Sequence, residues 1–123
     1  MIDLIFDIVS GAVKLARPAV LKVGALVPVR VTFSEAPNTV ANLKLALGTD
    51  AAAPVLLVQT GDWGMENATL WTTTLTMTSD ALTAYMTGKA SAAVNGEFAL
   101  TLNGSRQVSP NFSVVIQQRI IPA

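Results

Sequence analysis

The chain contains neither cysteine nor histidine. The first absence excludes disulfides and thiolate metal sites, and the second removes the commonest general base and metal ligand. Charge is scarce as well. Charged residues are 13% of the 123, where an ordinary globular domain has nearer ~25%. Eight Lys and Arg balance eight Asp and Glu, so no excess of positive charge is available to attract a nucleic-acid backbone. No span for membrane insertion is visible either. The longest apolar run, Ala51 to Val58, holds a proline and falls short of the ~20 residues that a bilayer requires. The start, Met1-Ile2-Asp3-Leu4-Ile5-Phe6-Asp7, carries acids where a signal peptide has a basic start and a clean apolar core, so it reads as mature sequence. Without a secretion signal, the acceptor-like triplets Asn67-Ala68-Thr69, Asn103-Gly104-Ser105 and Asn111-Phe112-Ser113 read as chance matches.

What is present is apolar: 51% of the residues. A chain of this length can bury roughly two-thirds of its unfolded surface, enough for one domain over residues 1–123 without staples. A small neutral domain with so few charges associates readily. The charge deficit therefore reads as surface covered by neighbouring subunits. The alternative is a neutral coat of Thr, Ser, Asn and Gln.

The patterning has a period of two along most of the chain. Ile2, Leu4 and Phe6 alternate with Asp3, Ile5 and Asp7, Ser10-Gly11 supplies a turn, and Val13-Lys14-Leu15 alternates again. Residues 1–16 are thus expected to form a hairpin. An amphipathic helix competes, because Ile2, Ile5, Phe6 and Val9 also fit helical spacing; Gly11 and the β-branched residues favour the hairpin. A terminal ribbon with so large an apolar face is marginal alone, so Ile2, Leu4 and Phe6 are candidate contacts with a neighbouring subunit.

Val20 to Val23 is a short strand that leads to Gly24, and Val27, Val29, Val31 and Phe33 share a strand face. Pro28 cannot donate to a ladder, so its end of that strand must be an edge or a strand start. Pro37-Asn38 marks a turn. Leu43, Leu45 and Leu47 alternate up to a turn at Gly48-Thr49-Asp50. A linker, Ala51 to Pro54, precedes Val55-Leu56-Leu57-Val58, whose two apolar faces suit a fully covered strand. Gly61-Asp62-Trp63-Gly64 reads as a loop with an aromatic tip. Thr69 to Met77 is a threonine-rich strand with Trp71, Thr73, Leu75 and Met77 on one face.

One short helix is expected near residues 79–87. Ser79 caps it, Asp80 suits the positive end of its dipole, Leu82, Tyr85 and Met86 share a face, and Gly88 falls at C′. Strand character resumes over residues 90–102, with Phe98, Leu100 and Leu102 inward. Asn103-Gly104 is the strongest hairpin-turn dipeptide in the chain. The return, Ser105 to Val108, is interrupted at Pro110 and continues from Phe112 to Ile121. The whole reads as an all-β chain, a mainly antiparallel β-sandwich with one helix.

Little chemistry is on offer. No serine stands in a Gly-x-Ser-x-Gly elbow, and no glycine-rich loop has the spacing that cradles a phosphate. Asp62 and Glu66 are the nearest approach to a two-carboxylate site or a calcium ligand pair. Acids four apart in a loop are more often solvated turn residues. The expectation is no catalytic, cofactor-binding or metal-ligating residue. Trp63 is the other candidate partner contact, since an exposed indole gains much area at low entropic cost. The competing reading makes it the cover of one end of the sandwich. Trp71, inside a strand, is read as core.

The order of segments is informative. A hairpin over Leu4 to Val13 is followed by Leu21-Lys22-Val23-Gly24, Val27 to Phe33, Leu43 to Gly48 and Ala52 to Leu57. The end is Gly96-Glu97-Phe98-Ala99-Leu100-Thr101-Leu102-Asn103-Gly104, Ser105-Arg106 and Phe112 to Ile116. In order and pattern, over nearly the whole chain, this resembles small proteins or N-terminal modules of bacteriophage and prophage tail-fibre and baseplate regions. It is similar to the immunoglobulin-like N-terminal module of phage baseplate upper proteins. The resemblance implies an immunoglobulin-like sandwich and a non-enzymatic virion part, made in the bacterial host cytoplasm and built into the tail. It also implies a homo-oligomer, a trimer being favoured, with other tail proteins as partners. It supplies no catalytic residue. Ending at Ala123, without a receptor-binding domain after the sandwich, favours an adaptor. The alternatives are a carbohydrate- or receptor-binding head that uses Trp63, and a capsid decoration protein.

Overall fold

The computed structural model describes residues 1–49, 55–59 and 61–121. Its elements run β1 (Ile2–Phe6), β2 (Val13–Leu15), β3 (Val20–Lys22), β4 (Leu26–Phe33), β5 (Val40–Gly48) and β6 (Val55–Gln59). Then come β7 (Gly64–Asn67), β8 (Leu70–Thr76), the helix α1 (Asp80–Met86), β9 (Ser91–Leu102), β10 (Ser105–Val108) and β11 (Phe112–Gln117). The linker expected over residues 51–54 and Asp50 of the preceding turn lie outside the described residues.

Two sheets face each other. The first has the order β2-β1-β4-β8-β7 and the second β3-β11-β9-β5-β6, with β10 paired to β9 beside the end of β11. Alternation explains the layers, because inward residues of each strand are apolar and buried. Ile2, Leu4 and Phe6 of β1, Val27, Val29, Val31 and Phe33 of β4, and Leu75 of β8 line the first sheet's inner face. Leu43, Leu45 and Leu47 of β5, Val94, Phe98, Leu100 and Leu102 of β9, and Phe112, Val114 and Ile116 of β11 oppose them. The sandwich is thus all-β and mainly antiparallel, as its alternation requires. Two parallel pairs, β1 with β4 and β3 with β11, cross over between strands distant in sequence. Aromatic edges tie the layers: Phe6 meets Phe33 in its own sheet at 5.7 Å and Phe98 across the core at 5.9 Å, both edge-to-face.

Local chemistry sets the joints. Asn103 (φ 51°) and Gly104 (φ 84°) form a two-residue turn between β9 and β10, with Leu102 opposite Ser105, as a type I′ hairpin needs. Pro28 stands opposite Thr74, while the pairing of β4 with β1 begins only at Val29 with Ile2. The proline therefore sits where β4 is paired on one side, its missing N–H harmless. Asn42 (φ 54°) occupies a bulge in β5, between Ala41 and Lys44, and its amide donates to Thr101 Oγ1 at 3.2 Å.

The helix has the expected cap. Ser79 Oγ accepts from Leu82 N–H at 3.1 Å, and its hydroxyl donates to the Leu56 carbonyl of β6. At the other end Gln118 Nε2 donates to the Met86 carbonyl at 3.1 Å, and Gly88 holds φ 79°. Bonded to β6 at its start and to the residue just after β11 at its end, α1 crosses one end of the second sheet. Leu82 and Met86 are buried beneath it.

Three expectations need correction. Val55 to Val58 is not a strand covered on both faces: β6 is an edge strand of its sheet, and Val55 is 50% exposed. The last strand ends at Gln117 rather than Ile121, and Ile120 and Ile121 are exposed. Gly64, read as the end of a loop, instead opens the strand β7, which pairs with β8.

Candidate functional site

Ile2, Leu4 and Phe6 are 0% exposed. The apolar face assigned to a neighbouring subunit is sealed inside its own chain, which corrects that expectation. The physical reason is placement. The hairpin forms as expected, but β1 also pairs in parallel with β4 through Ile2–Val29, Leu4–Val31 and Phe6–Phe33, which sets it second from the sheet edge. On its outer face Asp3 is nearly buried and meets the exposed Arg17 at 3.6 Å.

Trp63 follows Asp62, which holds φ 60° and turns the chain into β7. Its indole is half-buried and tilted over Phe98 at 5.9 Å, so it covers one part of the core instead of standing free at a loop tip. Its Nε1 is buried and has no partner among the described residues. Trp71 is half-buried, packed on the core and bordering a second, smaller depression with Pro37, Val40 and Met65.

Asp62 and Glu66 do come together, on the outer face of the first sheet. They line an open depression of about 690 Å³ with Pro28, Arg30, Thr72 and Thr74. Thr72 Oγ1 donates to Glu66 Oε1 at 3.3 Å, and Thr73 Oγ1 donates to the Asp62 carbonyl at 3.1 Å. Both acids are exposed on an open sheet face. Such a surface offers hydrogen bonds but does not exclude water, which electrostatic catalysis between two carboxylates needs. Among the described residues no three Asp, Glu, His or Cys converge as metal ligands would.

The surfaces that remain are sheet edges and outer faces. The strand β7 is an edge with all four residues exposed, and β2 is the opposite edge of the same sheet. On the second sheet Val20, Val115 and Ala93 stand side by side across β3, β11 and β9, and all three are exposed. Sequence reasoning missed β7 because a strand exposed throughout has no apolar alternation. It missed the Val20–Val115 contact because the parallel pairing of β3 with β11 leaves no turn between them. No protein family, curated protein or solved structure matches the chain.

Proposed function

We propose that this chain is a non-enzymatic structural part of a bacteriophage tail, at a fibre, tail tip or baseplate, and that it works by oligomeric assembly. The observation that carries the reading is the outer surface of the second sheet. Val20 (51% exposed) and Val115 lie against Ala93 in an apolar row, bordered on the same face by Lys22 beyond Val20 and by Ala46 opposite Glu97. A monomer gains nothing from an apolar row turned to water, whereas a protomer buries it. The low charge lets such surfaces pack without stranding ions. A sandwich with one core supplies rigidity, and burial between protomers turns it into a joint. The order of segments, from the terminal hairpin to the Asn103-Gly104 turn, supports the placement in a tail.

The reading is tested on phage particles whose genome encodes the chain. Mass spectrometry of purified particles should find it in fixed proportion to the tail proteins, and labelled antibody should decorate the tail. A chain that stays wholly in the lysate, with none in the particles, contradicts the placement.

A further inference from the structure

The two edges of the first sheet complement each other in charge and in strand direction. Along the order β2-β1-β4-β8-β7, β2 runs antiparallel to β1, β1 parallel to β4, β4 antiparallel to β8 and β8 antiparallel to β7. It follows that β2 and β7 run in opposite directions. A second copy placed beside the first, with the same face outward, lays its β2 antiparallel along β7. Among the described residues both edges end the sheet without a further strand, and edge backbone groups are a ready template for such addition.

The side chains agree with this geometry on both faces. On the solvent face, β2 carries the exposed Lys14, which pairs across to Ile5, and β7 carries the exposed Glu66, held towards Thr72. On the core side, β2 carries the half-buried Leu15, and β7 carries Met65, which is 62% exposed and pairs across to Trp71. Glu66 is the extra residue of a bulge between Met65 and Asn67, and in antiparallel register setting it opposite Lys14 sets Met65 opposite Leu15. A lysine on an edge strand ordinarily keeps edges apart. Facing a glutamate, it chooses the partner instead.

We propose that copies of this chain join head to tail, β7 of one against β2 of the next, through Glu66–Lys14 and Met65–Leu15; this rests on the assembly reading above and adds to the face of the second sheet a contact along the edges of the first. The joint is heterologous, each copy contributing two different edges, so it closes as a ring or extends as a filament.

The test is charge reversal in the full chain, read by sedimentation velocity over a range of concentrations, with far-UV circular dichroism to verify folding. Both side chains are exposed, so Lys14→Glu and Glu66→Lys should fold. Each alone should weaken self-association by roughly tenfold or more. Combining both reversals in one chain should restore it, because opposite charges then face each other across every joint again; mixing the two variants repairs the joints between unlike copies and leaves one mismatched joint in an odd-membered ring. Oligomers indifferent to both single reversals overturn the edge contact and leave assembly itself standing. A wild-type chain that is monomeric at every concentration overturns assembly and contact together. Weakening that neither the mixture nor the double reversal repairs also overturns the pairing, since it shows that the two residues do not meet.

Discussion

Replacing Phe6 by alanine separates a core residue from a subunit contact. The ring is fully buried and makes edge-to-face contacts with Phe33 and Phe98, one in each sheet. Truncation removes the transfer free energy of the ring and leaves a cavity between two closely packed layers, which together cost about 3–5 kcal/mol. Against a typical total of ~5–15 kcal/mol, that is about a fifth or more of the stability. For a chain of this length it should lower the melting temperature by on the order of 10 °C or more. Urea unfolding followed by circular dichroism gives the free energy directly, and repeating it at several protein concentrations supplies the control. Burial within one chain makes the loss independent of concentration. Were the ring docked on a neighbour, the loss would shrink on dilution, where the wild type too has lost its partner. An unchanged midpoint, or a loss confined to high concentration, would refute the placement of β1 in its own core.

Other expected outcomes concern single joints. Gly104→Val forces a β-branched residue to φ 84° and should cost about 1–3 kcal/mol, visible as a lower urea midpoint; an unchanged midpoint contradicts the type I′ turn. At Gly96 an added Cβ would lie 2.3 Å from Phe112 Cε2, so Gly96→Ala must displace that ring and should cost about 1–3 kcal/mol in the same assay. Ser79→Ala removes the cap on Leu82 and the bond to the Leu56 carbonyl. It should cost about 1–2 kcal/mol, with amide exchange rising first in α1. Millimolar calcium should leave the melting temperature unchanged; a rise of several degrees would show a site that the scattered carboxylates do not suggest.

What the sequence makes legible is what repeats locally. Strands β4, β5 and β9 show alternation over whole faces, and β8 shows it through Trp71, Thr73 and Leu75. The Asn103-Gly104 turn and the Ser79 cap are set by residues a few positions apart. What stays hidden depends on long-range pairing. The apolar face of β1 is plain in Ile2, Leu4 and Phe6, but nothing in those residues says that Val29, Val31 and Phe33 will lie beside them in parallel. Val55-Leu56-Leu57 has the composition of a covered strand, and only its position last in the sheet exposes Val55. For the candidate site, Trp63 is conspicuous in the sequence, yet its orientation over Phe98 depends on the Asp62 backbone and on a strand more than thirty residues away. Lys14 and Glu66 are ordinary surface charges until the strand order sets them on opposite edges.

Self-assembly as proposed is read at first hand by sedimentation velocity on the intact wild-type protein over a wide concentration range. The expected result is a discrete oligomer, a trimer being the favoured form, that persists on dilution or dissociates reversibly. A single monomeric species up to the highest concentration reached would contradict the account.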